Sequence, residues 1–263
     1  MKIGKTLWVI LMIGFFVALT LIISLRSDIY YSDIIFGGSA TGEISEDVGE
    51  KTASEIRKAS DKYKDLQFPD IDISEWRYAV FNSKRVVKDY APELELYNDR
   101  GIKIDARIMA NLYQMVMAAQ KDGFEPIIAL GYVSYTEQQQ KINAKATELA
   151  EEKGIGFAEA RKLAELVIEL PGTCEHQTGL AVDITDKLYE GTDYPEMDPE
   201  LYKWLDEHCH EYGFIKRYPA DKKAITGRDE PWHYRYVGKT AAEFIYENGL
   251  CLEEFIAHYY AEK

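Results

Sequence analysis

The chain has 263 residues, 46% of them apolar, which is enough for one generous domain or two small ones with a packed core. A formal charge of −14 excludes the basic surface that a nucleic-acid partner needs. Three cysteines (Cys174, Cys209, Cys251) cannot all pair internally and none lies in a C-x-x-C pattern, so no disulfide framework is indicated.

In chain order, residues 7–25 (LWVILMIGFFVALTLIISL) carry no charge and match the roughly 20 apolar residues that cross a bilayer. Lys2 and Lys5 precede the run, which predicts a cytoplasmic N-terminus and an extracytoplasmic remainder. A cleaved signal peptide is the alternative, but the run exceeds the usual ~7–15-residue apolar core of such peptides and no A-x-A-like site follows directly. Residues 1–26 are thus expected to be a single-pass anchor. Residues 27–72, rich in Ser, Gly, Asp, Glu and Lys without a sustained apolar period, are expected to be a stalk, and 73–263 the compact domain.

Within that domain, residues 76–81 are expected to form a short strand. The apolar spacing of Ile108, Leu112, Met115 and Met117 predicts a helix over 105–121, with Asp105 as N-cap and Gly123 as stop. A buried strand follows at 125–130 and ends in Gly131-Tyr132-Val133-Ser134. Residues 136–170 are rich in helix formers and broken at 154–156, which predicts two helices. Residues 180–184 form a strand that sets Ala181 and Asp183 on one face and Leu180, Val182 and Ile184 on the other. A helix over 199–212, stopped by Gly213, and a strand over 232–237 complete the pattern. Strands and helices mixed without a βαβ rhythm predict an α+β fold.

Two stretches carry chemistry: Glu175-His176-Gln177-Thr178-Gly179-Leu180-Ala181-Val182-Asp183 and Glu230-Pro231-Trp232-His233. His176 and Asp183 are seven residues apart, which suits a loop running into a strand, and Gly179 permits an unusual turn between them. With His233 as a third ligand, two neutral imidazoles and a carboxylate suit Zn²⁺ and leave a fourth position for water, as hydrolytic sites require. Glu230 is then the spare carboxylate that takes a proton from that water and hands it to a departing amine. Singly, each of these residues is more often a surface group or a salt-bridge partner; jointly they are specific. His208-Cys209-His210 looks like a rival cluster, but adjacent residues on a helix fan apart by about a hundred degrees and cannot converge on one ion. His258 is expected to be structural.

These motifs, together with LYQMVMAAQKDG, GYVSYTEQQ, YGFIKRYP and ITGRDEPWHYRYVG, resemble the VanY-type D-alanyl-D-alanine carboxypeptidases, zinc peptidases of the group that includes Hedgehog-like folds and VanX dipeptidases. The resemblance spans roughly residues 94–238. It implies a central antiparallel sheet with flanking helices, His176, Asp183 and His233 as zinc ligands, Glu230 as catalytic base, and peptidoglycan stem peptides as substrate. It therefore implies an extracytoplasmic enzyme on a bacterial cell membrane. Same-fold alternatives are an L,D-carboxypeptidase or a peptidoglycan endopeptidase; a weakly active peptidoglycan-binding module is the alternative outside enzymes.

Two positions depart from the family pattern. Its GYRS motif carries an arginine that stabilises charge on the scissile carbonyl or the substrate carboxylate; Val133 stands there and can do neither. A serine commonly found two residues before the first histidine is Cys174 here, a weaker hydrogen-bond donor. Arg217 and Arg235 are the candidates to replace the missing cation, with a structural role typical of the family as the alternative, and Ser134 and Gln138, which match the rest of GYxSxxxQ, are expected to line the substrate cleft with them and Cys174.

Overall fold

The structure is a computed structural model and describes residues 63, 65–81, 90–188 and 197–261. The apolar run at 7–25 and most of the segment assigned to a stalk lie outside these residues. Among the described residues no helix is long and apolar enough to cross a membrane.

The fold is α+β. A hairpin of β1 (Leu94–Leu96) and β2 (Lys103–Asp105) precedes helix α1 (Met109–Lys121), strand β3 (Ile127–Leu130), and helices α2 (Tyr135–Lys153) and α3 (Phe157–Ala164). Then come β4 (Ala181–Thr185), α4 (Pro199–His208), β5 (Phe214–Tyr218), β6 (Glu230–Tyr236), α5 (Lys239–Glu247) and α6 (Leu252–Ala261). Strands β3, β4, β6 and β5 lie in that order in one antiparallel sheet.

Alternation along the strands sorts the sheet into two faces. Leu180, Val182, Ile184, Phe214, Tyr234 and Tyr236 pack with Leu112 and Met115 of α1 and Leu201 and Leu205 of α4. Each such fully buried aliphatic side chain contributes roughly 1.5–3 kcal/mol. The opposite alternation, namely Asp183 of β4, Arg217 of β5 and His233 and Arg235 of β6, is equally buried but polar. Apolar burial on one face thus fixes the strand registers that position charged groups on the other.

Helix boundaries follow local chemistry. Asp105 accepts a hydrogen bond from the Arg107 N–H and caps a 3-10 turn over Ala106–Ile108 that leads into α1. Ser134 and Glu137 form a reciprocal capping box at the start of α2, and Gly154 ends that helix in the left-handed region. The helix expected over 199–212 is α-helical only to His208 and tightens into a 3-10 turn over Cys209–Tyr212.

Two expectations need correction. Residues 76–81 form no strand: Trp76–Tyr78 make a 3-10 turn. The Arg77 and Ala79 carbonyls that a sheet would need accept hydrogen bonds from the Arg235 guanidinium instead. The compact domain also begins before Ile73, because Tyr63, Phe68, Ile71 and Ile73 pack on a second core formed by α5, α6 and Tyr78. Phe68 stacks on His258 at 3.7 Å between ring centroids, which gives that histidine a structural partner, and Tyr259 donates to the Pro69 carbonyl.

The turn after β3 is held very close to β2. The Tyr132 N–H donates to the Lys103 carbonyl at 2.7 Å, and a Cβ at Gly131 would lie 2.4 Å from that same oxygen. Only glycine fits. Gly131→Ala is therefore expected to lower stability by ~1–3 kcal/mol through overpacking. Gly156→Ala, in open space at a helix N-cap, should cost under about 1 kcal/mol. Urea denaturation of the two variants checks this, and equal midpoints would contradict the close approach.

Candidate metal and catalytic site

The site is assembled by register. Asp183 of β4 and His233 of β6 are direct partners across neighbouring strands, and the Asp183 Oδ1 lies 3.1 Å from the His233 Nδ1. His176 arrives from the 3-10 turn over Glu175–Thr178, which Gly179 ends in the left-handed region at φ 70°. The His176 Nε2 sits 3.3 Å from the same Asp183 oxygen. The three donor atoms lie within 4.8 Å of one another and all three residues are buried.

Each imidazole is oriented by a contact on its far side. The His176 Nδ1 lies 2.8 Å from the Gly131 carbonyl, to which it donates, so that its Nε2 lone pair points at the cluster. The Val133 N–H in turn donates to the His176 carbonyl at 3.2 Å. The Gly131-Tyr132-Val133 turn thus clamps His176 through backbone atoms alone.

Behind His233 stands Glu175, which nothing in the motif beside His176 singles out. Its Oε2 and the His233 Nε2 are buried without hydrogen bonds and face each other at 3.7 Å. The Glu175 Oε1 is 2.9 Å from the Arg217 Nε and 3.1 Å from the Arg235 Nη1. Burial alone would raise the Glu175 pKa, but Arg217 and Arg235, aided by His233, outweigh it and hold the carboxyl far below the usual carboxylate range. An ionised Glu175 favours a proton on the His233 Nε2 and leaves the Nδ1 facing the other two donors.

In the metal-free protein, burial pulls the His233 pKa down. Asp183, hydrogen-bonded at the Nδ1, and the Glu175 carboxylate facing the Nε2, with the charge of Glu230, overcome this and push it up to about 10. Burial raises the Asp183 pKa, but His176 and His233 outweigh that effect and keep Asp183 ionised.

The donor set fits zinc. Ligands bonded to a tetrahedral Zn²⁺ at 2.0–2.2 Å stand about 3.3–3.5 Å apart, close to the 3.1 and 3.3 Å separations from Asp183 to the two imidazoles. Glu230 opens β6 opposite Tyr218, with its Oε2 3.7 Å from the His233 Nδ1. It is half-buried, beside the cluster without entering it. Among the described residues no other group of three such side chains converges: His208 pairs with Glu211 at the surface and His210 stacks on Tyr246.

Of the residues expected to contact substrate, the two arginines are enclosed. Arg217 and Arg235 have fully buried side chains. Each nitrogen of Arg217 has a partner, the Nε in Glu175 and the two terminal nitrogens in a two-pronged bond to Glu253 of α6. Arg235 holds Glu175 and the carbonyls of Arg77, Ala79 and Tyr236. Neither replaces the cation missing at Val133. Ser134 caps α2, and the buried Gln138 donates to the Glu169 carbonyl, bracing the segment after α3. Cys174 is buried, and desolvation with the neighbouring Glu169 drives its thiol pKa well up, so it is a neutral packing group.

Sequence reasoning missed Arg228. Its Nη1 lies 2.9 Å from the Glu230 Oε1 and its Nη2 2.9 Å from the Glu169 Oε1. The only available signal was a cation two residues ahead of the expected base.

A buried His–Asp–His donor set on an antiparallel sheet, with a further carboxylate alongside, defines a site of the zinc-metallopeptidase class. The sequence model of the VanY D-alanyl-D-alanine carboxypeptidase family matches residues 101–239, and the chain belongs to that family. It is 40% identical over 221 residues to a D-alanyl-D-alanine carboxypeptidase of Enterococcus faecalis, covering 83% of this chain and 75% of the relative. It is also similar to the crystal structure of VanY from the VanB-type resistance cassette in complex with Zn(II), at 43% identity and a TM-score of 0.58, covering 69% of this chain and 99% of that one. VanYB in complex with D-alanine-D-alanine matches at the same identity and TM-score, covering 69% and 98%.

Two outcomes are expected for the metal. His176→Ala, Asp183→Ala and His233→Ala should each lose stoichiometric zinc by elemental analysis, while His208→Ala retains it. Because His233 is protonated below about pH 10 in the metal-free protein, zinc uptake at neutral pH must release a proton. Apparent zinc affinity should then rise with pH by up to about tenfold per unit. Calorimetry in buffers of different ionisation enthalpy checks this, and no net proton release would refute it.

Proposed function

We propose that the domain is a zinc D,D-carboxypeptidase that removes the terminal D-Ala from peptidoglycan stem peptides. The observation that carries this is the His176–Asp183–His233 donor set with Glu230 beside it, in a chain of the VanY family. Zinc held by those three residues supplies a Lewis acid that polarises the scissile carbonyl and makes a water nucleophilic at neutral pH.

The chain's own groups do the proton work. Glu230 takes a proton from the attacking water as the oxygen adds to the carbonyl carbon, then delivers it to the amide nitrogen as the C–N bond breaks. D-Ala leaves with a neutral amine, and the shortened peptide keeps the new carboxyl group, whose remaining water-derived proton passes to that amine or to solvent to leave a carboxylate. Asp183 remains an anion throughout and holds both imidazoles. Glu175 keeps the His233 ring from turning.

The same reading extends to the front of the chain. The uncharged run at 7–25 behind Lys2 and Lys5 supports a single-pass anchor that sets the catalytic domain outside a bacterial cell membrane, next to its substrate.

Glu230→Gln should keep zinc and the thermal midpoint while turnover falls ~10²–10⁴-fold, because an amide keeps the shape but takes no proton. Near-normal turnover would remove Glu230 from the role. Mass spectrometry of pentapeptide and tetrapeptide muropeptides, each with and without chelator, decides the reaction: loss of one D-Ala from the pentapeptide alone is expected. Trimming of the tetrapeptide would make it an L,D-carboxypeptidase, cross-link cleavage an endopeptidase, and zinc-dependent binding without turnover a peptidoglycan-binding module.

A further inference from the structure

We infer that Arg228 is the residue that receives the C-terminal carboxylate of the substrate, standing in for the cation absent at Val133; this rests on the carboxypeptidase reading above. A carboxypeptidase must recognise a free carboxylate close to the scissile bond. In a peptide the terminal carboxyl carbon is three bonds from the scissile carbonyl carbon, about 4 Å away at most. The group that recognises it must therefore adjoin the base and the metal ligands, and a guanidinium is suited to a carboxylate.

Three arginines surround this centre, and burial separates them. Arg217 and Arg235 have no exposed side-chain surface, and their guanidiniums are consumed by Glu175, Glu253 and backbone carbonyls. Arg228 keeps 34% of its side chain exposed. Glu230 links it to the metal ligands: one carboxylate oxygen is 2.9 Å from the Arg228 Nη1 and the other is 3.7 Å from the His233 Nδ1. The guanidinium also lies over the Tyr218 ring, 5.6 Å from its centroid, and that ring is 5.0 Å from the His233 ring.

The partners of Arg228 suit an exchangeable contact. Glu169, on the segment after α3, and Glu230, on β6, take one terminal nitrogen each, leaving further N–H donors of the five in the fork. A substrate carboxylate can displace Glu169 and occupy the fork while Glu230 stays bound and aimed. Val133 cannot contribute, since its side chain is only 3% exposed and uncharged.

The test compares Nα,Nε-diacetyl-Lys-D-Ala-D-Ala with its C-terminal amide on zinc-loaded wild-type, Arg228→Gln and Arg228→Lys proteins. Wild type is expected to prefer the free acid by ~10–100-fold in kcat/KM, the scale of a charged hydrogen bond. Arg228→Gln should collapse that preference to within about threefold at unchanged zinc content, and Arg228→Lys should restore part of it. An acid preference that survives in Arg228→Gln, with both substrates slowed alike, would show that Arg228 only positions Glu230 and would overturn the assignment. Calorimetric binding of the two peptides is read alongside. If wild type hydrolyses neither, the carboxypeptidase reading fails, and binding alone decides Arg228: acid preference lost in Arg228→Gln supports it, and equal binding by wild type overturns it.

Discussion

The Glu175 carboxylate is the point on which the rest of the site depends. It is a fully buried anion held between the guanidiniums of Arg217 on β5 and Arg235 on β6, and Arg217 continues to Glu253 on α6. Removing ions from water costs several kcal/mol each, and attraction offsets this only where geometry is good and remaining donors are satisfied. Arg235 also donates to the carbonyls of Arg77 and Ala79, and so fastens the N-terminal segment of the domain to the same network. Loss of Glu175 would leave two buried cations facing each other. The network is thus one device that closes the polar side of the sheet and fixes the ring of a metal ligand.

Because register and buried charge set the ligands, the metal site is largely formed without the metal. Asp183 and His233 are paired by the β4–β6 ladder, which is itself fixed by apolar residues on the opposite face. A one-residue slip would move Asp183 to the apolar face. In this protein, zinc binding draws on geometry that folding has already supplied, unlike small metal-dependent domains in which binding and folding are one event.

The metal ligands were legible in the sequence because their chemistry is scarce: few roles need His and Asp at that spacing followed by Glu-Pro-Trp-His. The α+β class and most helices were legible from periodicity. The arginines were not. A buried arginine and a substrate-binding one look alike in sequence, and the difference lies in partners, Glu175 and Glu253, that are 42 and 36 residues from Arg217. Residues 76–81 (WRYAVF) are rich in the aromatic and β-branched side chains of strands, yet the carbonyls of Arg77 and Ala79 serve Arg235. Residues before Ile73 look polar on average, but Phe68 and Ile71 suffice to dock them.

The departure at Val133 takes on a different meaning in this frame. The Gly131-Tyr132-Val133 turn supports His176 through the Gly131 carbonyl and the Val133 N–H, neither of which depends on the side chain at 133. The side chain at 133 therefore takes no direct part in holding His176. The metal centre is fixed by the sheet and the buried ion network, while a cation for the substrate needs only an exposed position within reach of Glu230. Positions on the segment leading into β6 meet that requirement as well as the turn after β3 does. This separation is the physical reason why a chain of this family can keep its His–Asp–His donor set and the carboxylate beside it while the arginine of the motif is absent.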